Sequence, residues 1–336
     1  MPRNAVSAKD VAELAGVSRA AVSRCFTPGA SISDETREKI VKAADRLGYQ
    51  VNRLASGLIR NESGIVAIIA AEIATPYRSS LLSALTEALQ KAGKVALVIN
   101  TDSSDGSVEQ ALRQAISYRT DAAIFLSGMP ARSLAETCRR NGMRLLLINR
   151  EAGRPGSLLV RLRDAEAGRR AVRMLIAAGC RRLALASSRT DTPALRERER
   201  GFRQAAAEAG IDWVEERRGL TSYEAGLELG MALLAGPNPP DGVFCTTDLM
   251  ACGMMDVARW RLALRVPEQL SLIGFDDIPQ AGWEGYDLTT FRQPVEDIAT
   301  RGIEWLTAPV LPETASELLF EPTLKPRGSV RRPSPT

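Results

Sequence analysis

The chain has 336 residues, 45% of them apolar and 25% charged, a length suited to two or three domains and a composition suited to a packed core. It contains no histidine, which excludes His-based acid–base catalysis, nucleophilic dyads that use histidine, and histidine metal sites. The net charge is +4, and residues 1–60 carry the whole excess, with ten Lys/Arg against six Asp/Glu; a basic head on a neutral body fits attraction to phosphate.

The five cysteines (Cys25, Cys138, Cys180, Cys245, Cys252) are scattered and form no CxxC pair, so they read as free thiols in a reducing compartment rather than a disulfide or zinc framework. No run of 18 apolar residues occurs, and Met1–Ala5 leads straight into a polar helical pattern without a signal-peptide core. The expectation is a cytoplasmic protein that does not span a membrane.

Residues 7–48 read as three short helices. Ser7 is a good N-cap with Asp10 three residues on. Val11, Ala12 and Ala15 make an apolar stripe, and Gly16 ends the first helix with a left-handed turn. Ser18 caps the second helix, which sends Val22 and Phe26 inward and is expected to break at Pro28-Gly29. Ser33 caps the third, which runs to Gly48. Residues 50–62 read as a linker with weak helical character.

From Gly64 the pattern alternates short apolar runs with amphipathic stretches. Strands are predicted at Ile65–Ala70, Val95–Asn100, Ala122–Leu126, Arg144–Ile148, Leu183–Ala186, Gly242–Cys245 and Leu270–Gly274. Helices are predicted at 78–91, 107–118, 131–141, 165–178, 196–209, 222–235, 248–260 and 294–306. This alternation implies parallel sheet covered on both faces, with ligands at the carboxyl ends of the strands. Its length over residues 63–322 suits two similar lobes; a single (β/α)8 barrel has a comparable count, and periodicity alone leaves it open. The Pro- and Arg-rich end, 323–336, is expected to be a disordered tail without a coiled coil.

The stretch from Ser7 to Arg24 has helix-turn-helix form, so the second helix can enter a major groove with its N-terminal residues leading. Arg19, Ala20, Ser23 and Arg24 share one face of it. Arginine can fork onto guanine O6 and N7, and Ala20 offers apolar contact to a thymine methyl. Ser7, Ser18, Ser33 and Thr36 can donate to phosphates and fix register, and Lys9 is a further phosphate candidate.

Asp10–Ala12, Ala15–Ser18, Val22–Arg24, Thr36-Arg37 and Leu47–Tyr49 closely resemble the DNA-binding head of the lactose-repressor (LacI/GalR) family of bacterial regulators. Val266–Glu268, Gly274–Asp277 and Leu288–Thr290 look like that family's sensor signatures. The resemblance implies a sequence-specific transcription regulator, most often a repressor. Its fold would be an all-α helix-turn-helix head on an α/β sensor of periplasmic-binding-protein type, two lobes of parallel sheet flanked by helices. It also implies a homodimer on a palindromic double-stranded DNA operator, a small-molecule effector such as a sugar or sugar acid, and no cofactor or metal.

In the family a hinge helix wedges a leucine into the minor groove. Leu58 matches that leucine, and Asn52 and Ala55 match the hinge pattern. Val51 stands where proline is usual and Ser56 where arginine is common, departures that bear on hinge rigidity and one phosphate contact. Effector contacts carry over onto Arg198, Thr247 and Asp276, with Asn149, Arg150 and Arg163 as further candidates. Arg163 stands where an aspartate is common, and Thr221 falls near an aromatic platform of some sugar-binding members. Convergence of Arg150, Arg163 and Arg198 would make the cleft basic and suit a carboxylate or phosphate. An enzyme is the rival class, but the chain shows no GxGxxG after a strand, no GxxxxGK[ST] loop and no GxSxG elbow. A secreted solute-binding protein would share the two lobes but lack the helical head.

Overall fold

The computed structural model describes residues 6–27, 29–50, 62–102, 104–151, 153–310 and 314–332. The chain divides into two compact units, Met1–Ser63 and Gly64–Thr336.

The first unit holds α1 (Ala8–Ala15), α2 (Arg19–Cys25) and α3 (Asp34–Leu47). Ser7 Oγ accepts from the Asp10 amide while the Asp10 carboxylate accepts from the Ser7 amide at 2.7 Å, a capping box that satisfies two orphan donors at the helix start. The same bonds from Ser7 hold the Asp10 carboxyl below the usual carboxylate range. Gly16 turns the chain at φ 68°, where a Cβ is strained. Val11, Val22, Cys25, Ile40, Ala43 and Ala44 form the core, and Phe26 lies half-buried with its ring 5.8 Å from that of Tyr49. The second helix stops at Cys25, before the expected break at Pro28-Gly29, because Arg37 Nη1 donates to the Cys25 carbonyl at 2.9 Å and satisfies an acceptor that another helical turn would have used.

The second unit contains two six-stranded sheets. The first joins β1 (Ile65–Ala70), β2 (Val95–Asn100), β3 (Ala122–Phe125), β4 (Arg144–Ile148), β5 (Ser157–Leu162) and β11 (Ser316–Phe320) in the order β11-β5-β4-β3-β1-β2, all parallel. The second joins β6 (Arg182–Ser188), β7 (Asp212–Arg218), β8 (Gly242–Cys245), β9 (Ser271–Asp276), β10 (Thr289–Arg292) and β12 (Thr323–Lys325) in the order β12-β10-β9-β8-β6-β7. Only β12 of that sheet runs antiparallel. Two separate sheets remove the barrel alternative.

Helices α4 (Pro76–Lys91), α5 (Asp105–Ser117) and α6 (Arg132–Arg140) follow strands of the first sheet. Helices α7 (Asp164–Ala177), α8 (Pro193–Ala209), α9 (Tyr223–Leu234) and α10 (Asp248–Asp256) belong to the second. Helix α11 (Val295–Thr307) leaves the second sheet and buries Ile298, Ala299 and Ile303 against Val66, Leu81 and Leu85 of the first. Strand-facing residues are near-continuously apolar, as in Ile65–Ala70, because such strands are covered on both faces. All five cysteines are free and buried.

The expected disordered tail is corrected. Residues 323–325 form β12, and Ser329 is fully buried. Its Oγ donates to the Leu272 carbonyl at 2.6 Å and accepts from the Thr289 amide at 2.8 Å. Arg327 pairs with the buried Asp277 carboxylate at 2.6 Å, and Arg331 with Asp241 at 3.0 Å. The arginines that made this segment look solvated are its anchors, each closing a carboxylate on the second lobe.

Helices α7 and α8 cross so closely that a Cβ at Gly168 would lie 2.2 Å from the Arg198 carbonyl oxygen, and one at Gly201 only 1.9 Å from that of Ala165. Replacement Gly201→Ala is therefore expected to lower sensor stability by about 1–3 kcal/mol or more, read as a lower melting temperature. Gly106→Ala, where an added Cβ meets nothing within 4 Å, should show no such loss.

Candidate functional site

The exposed face of α2 carries Arg19, Ala20, Ser23 and Arg24, while Val22 and Cys25 point into the head core. Ser18 Oγ accepts from the Ala21 amide at 3.1 Å, which fixes the start of the helix and leaves its hydroxyl proton free to donate. Neither Arg19 nor Arg24 has a carboxylate within ion-pair distance among the described residues. Lys39 and Lys42 are paired at 2.7 and 2.6 Å, and Lys9 lies 3.7 Å from Glu13. Ser33 Oγ and Thr36 Oγ1 share a 2.7 Å hydrogen bond. The Ser7 hydroxyl donates to Asp10 at 2.8 Å, so its proton serves the helix cap. Asn52, Ala55 and Leu58, with the departures Val51 and Ser56, lie outside the described residues.

A second site lies at the carboxyl ends of both sheets, a cleft with about 840 Å³ of empty space, part of it open to solvent. The first lobe supplies Glu72, Thr75, Tyr77, Arg78, Asn149 and Arg150. The second supplies Thr192, Arg198, Thr221, Thr247, Asp276 and Gln293. Three helix starts meet there, because Thr75, Thr192 and Thr247 are the N-caps of α4, α8 and α10; their free amides and dipoles make the walls electropositive.

Arg198 is buried and held on three sides. Its Nε donates to Asp164 Oδ1 at 2.8 Å, its Nη1 donates to the Thr246 carbonyl at 2.9 Å, and its guanidinium sits 3.4 Å from the Phe275 ring centroid. Asp276 stands at the end of β9 with φ 122°, and Asn149 after β4 has φ 54°. With Glu72 at φ 53°, three cleft residues have positive φ, and strained backbone is the pattern expected where a side chain must be aimed. Asp276 Oδ1 accepts from Gln293 Nε2 at 2.6 Å and lies 3.9 Å from Arg198 Nη1. Burial pushes the Asp276 carboxyl up to about 6 against the pull of Arg198. Asp248, one residue past Thr247, is pushed by burial to about 8; it accepts from the Thr290 hydroxyl and the Ile278 amide and so ties α10 to β10 and the segment after β9. Asn149 Oδ1, Thr247 Oγ1, Gln293 Oε1 and Tyr77 Oη are buried without a partner among the described residues.

Residues 7–52 match the family described as bacterial regulatory proteins, lacI family, and residues 172–330 match the periplasmic binding protein-like domain. The chain is 32% identical to an uncharacterized HTH-type transcriptional regulator in the aml 5' region of Streptomyces limosus, over 95% of this chain and 93% of that protein. It is 31% identical to the HTH-type transcriptional repressor CytR of Escherichia coli (strain K12), over 88% of this chain and 86% of that one. The structure of the lac repressor dimer bound to operator and the anti-inducer ONPF superposes with a TM-score of 0.84 at 24% identity, covering 97% of this chain and 99% of that one. The chain belongs to the lacI family. It is a DNA-binding transcription regulator and not an enzyme.

In this lacI-family regulator five of the six predicted effector residues line one cleft, namely Asn149, Arg150, Arg198, Thr247 and Asp276. Arg163 does not. It is exposed at the N-cap of α7, where its amide donates to the Phe320 carbonyl at 2.9 Å. The carboxylate that matters is one residue further on: Asp164, in the first turn of α7, is turned inward onto Arg198. The expected trio of arginines is thus corrected, since Arg163 is outside and Arg198 is neutralised by Asp164. Arg78, which the sequence reading passed over, lies in the cleft instead; its signal was a cation in the first turn of a helix start at a strand's carboxyl end. Thr221 contributes a small polar wall, its Oγ1 2.8 Å from Ser188 Oγ, where an aromatic platform would have stood. Among the described residues no helix is long and apolar enough to cross a membrane.

The raised Asp276 carboxyl has a definite pH signature. A buried acid whose folded value is near 6 rather than 3.8 contributes stability that is complete below the unfolded value and is lost as pH rises through about 6. Asp276→Asn removes that loss. Its melting temperature relative to the parent should therefore be higher at pH 7.5 than at pH 4.5, measured by paired thermal melts; a difference that does not change between the two pH values would mean the carboxyl is not buried as described.

Proposed function

We propose that this regulator is a cytoplasmic homodimeric repressor that binds a palindromic operator and releases it when a small polar metabolite occupies the cleft. One observation carries the reading: a single chain combines an exposed helix face with two unpaired arginines and a polar cleft lined by residues of two sheets. Two-fold protein symmetry would present two α2 helices to two half-sites one helical turn or a multiple apart. Leu58 of each hinge would wedge at the centre, where a flexible pyrimidine–purine step lowers the cost of the kink.

Surface chemistry supports a second copy as partner. On the edge strand β2, Val95 and Val98 are 54% and 40% exposed, and on the second lobe Trp260 and Trp283 are 80% and 56% exposed. An apolar sheet edge and large exposed aromatics are costly on a monomer and are usually covered. CytR carries repression in its name, and the lac repressor structure contains both a dimer and an operator; we carry both features to this chain as part of the proposal. The effector acts through its different affinity for the two lobe arrangements, and by linkage the operator changes effector affinity by the same factor.

Selection of DNA from a random pool by the full-length protein tests the reading. The expected product is a palindrome with a pyrimidine–purine step at its centre; no enrichment at low salt, with or without candidate metabolites, would falsify it. On the selected site Arg19→Ala should lose about 1–3 kcal/mol of discrimination at one position per half-site. Lys9→Ala should weaken specific and scrambled DNA alike, as a phosphate contact does.

A further inference from the structure

We infer that the cleft is built for an anionic, hydroxylated effector whose carboxylate or phosphate is held between Arg78 and Arg150 on the first-lobe wall. The inference rests on the effector reading above and narrows it to a chemical class. It starts from the charges around the cleft. Arg198 is closed by Asp164, and the Asp276 carboxylate is engaged by Gln293. Arg78 and Arg150 have no carboxylate within ion-pair distance among the described residues. Their polar partners are backbone carbonyls: Leu126 for Arg78, and Ile148 (2.9 Å) and Gly128 (3.5 Å) for Arg150. Arg150 is only 8% exposed. A buried guanidinium held by neutral acceptors beside a second guanidinium is unfavourable without a counter-charge.

The effect of that environment is visible on Arg150 itself. Burial first, and then the neighbouring Arg78 charge, bring its guanidinium down to about 10, so it still carries its proton at neutral pH. Each guanidinium keeps donors free for a ligand, since the carbonyls occupy one nitrogen of Arg78 and two of Arg150. Arg78 also stands in the first turn of α4, whose free amides add positive potential at the same wall. An oxyanion with two or three oxygens can bridge the two groups, and hydrogen bonds between ionised partners are the strong ones.

The opposite wall asks for something different. Asp276 is a carboxylate, and Thr247 Oγ1 and Gln293 Oε1 are buried oxygens without a partner among the described residues. Such a wall selects hydroxyl donors. A ligand with an anionic end toward the first lobe and hydroxyls toward the second would touch both lobes at once and draw them together, which is what a differential affinity for the closed arrangement requires.

The test uses the full-length protein at constant ionic strength balanced with chloride. Sulfate, gluconate, glucose 6-phosphate and uncharged glucose are titrated while melting temperature and affinity for the selected operator are read. The expected result is a saturable rise in melting temperature with one or more of the three anions. Arg78→Gln and Arg150→Gln should each weaken that affinity about tenfold or more, with Arg150→Lys retaining part of it. Circular dichroism and a cooperative thermal transition establish that the variants fold. A preference for gluconate assigns the site to carboxylates, and a preference for glucose 6-phosphate assigns it to phosphates. No saturable response to any of the three anions overturns the inference, as does a response that survives both glutamine substitutions. If glucose alone binds and shifts operator affinity, the anion site falls and the effector reading stands. If anions bind through the two arginines but operator affinity never moves, the anion site stands and the effector reading falls.

Discussion

The buried ion pair between Arg198 and Asp164 organises the cleft, because it ties together three parts of the second lobe. Asp164 opens α7, Arg198 lies in the first turns of α8, and the guanidinium also takes the Thr246 carbonyl just past β8. Two charges removed from water are favourable only with good geometry and satisfied hydrogen bonds, and losing one partner leaves the other stranded at a cost of about 3–5 kcal/mol. The geometry here follows from the small residues beneath it. Gly168 and Gly201 let α7 and α8 approach until backbone touches backbone, which brings residue 164 within reach of residue 198. Arg198 then sits over the Phe275 ring, and the next residue along β9 is Asp276, whose carboxylate lines the cleft. The pair is therefore a positioning device, and it explains why a conspicuous arginine in the cleft does not by itself make the cleft basic.

How much of this was legible in the sequence follows from which signals are local. Seven strands were readable because each is a short apolar run, six of them buried on both faces and β2 half-exposed at the sheet edge, and their predicted ends differ from the observed ones by two residues or fewer. Five strands were not, for reasons that differ. Strand β7 reads Asp-Trp-Val-Glu-Glu-Arg-Arg; it lies at a sheet edge, half-buried, and is held by a ladder in which Glu215 binds both Arg203 and Arg217. Strand β5 follows β4 with only a short connection and has no helix between to mark it. Strands β10 and β12 have four and three residues, too short for a period to show. Strand β11 alternates intermediate and exposed positions at the edge of the first sheet, so no buried apolar run marks it.

Site residues divide along the same line. The face of α2 was fully readable, since helical spacing alone separates Arg19, Ala20, Ser23 and Arg24 from Val22 and Cys25. The cleft was readable where a residue sits at a strand's carboxyl end, as Asn149, Arg150, Thr247 and Asp276 do, and at Arg198 on α8, which the family resemblance supplied. Arg163 and Asp164 are adjacent, and the first turn of α7 sends one outward and the other inward; one residue of offset reverses the meaning of the pair. Arg78 was missed because its partners are carbonyls of Leu126 and, through space, the charge of Arg150, contacts between segments 48 to 72 residues apart that no local pattern encodes. The tail was misjudged for a related reason: Arg327 and Arg331 look solvated until Asp277 and Asp241 are placed beside them.

Connectivity then decides how a ligand in the cleft can matter elsewhere. The chain enters the second unit at β1, the penultimate strand of the first sheet, next to the edge strand β2. It crosses between sheets from β5 to α7, from β10 to α11, and from β11 to β12. Those crossings are the covalent links about which the lobes can turn, and the second and third are pinned at one end, the second by Arg292 on Asp277 and the third by the pairing of β12 with β10. Three covalent crossings, two of them pinned, oppose a separation of the lobes and favour turning about the links. A rotation of the first lobe carries β1 and β2 together, so the segment that follows the head and the apolar edge of Val95 and Val98 must move as one body. A ligand held, as proposed, by Arg78 and Arg150 on one side and Asp276 on the other would contact both lobes, so its affinity would depend on how they are arranged.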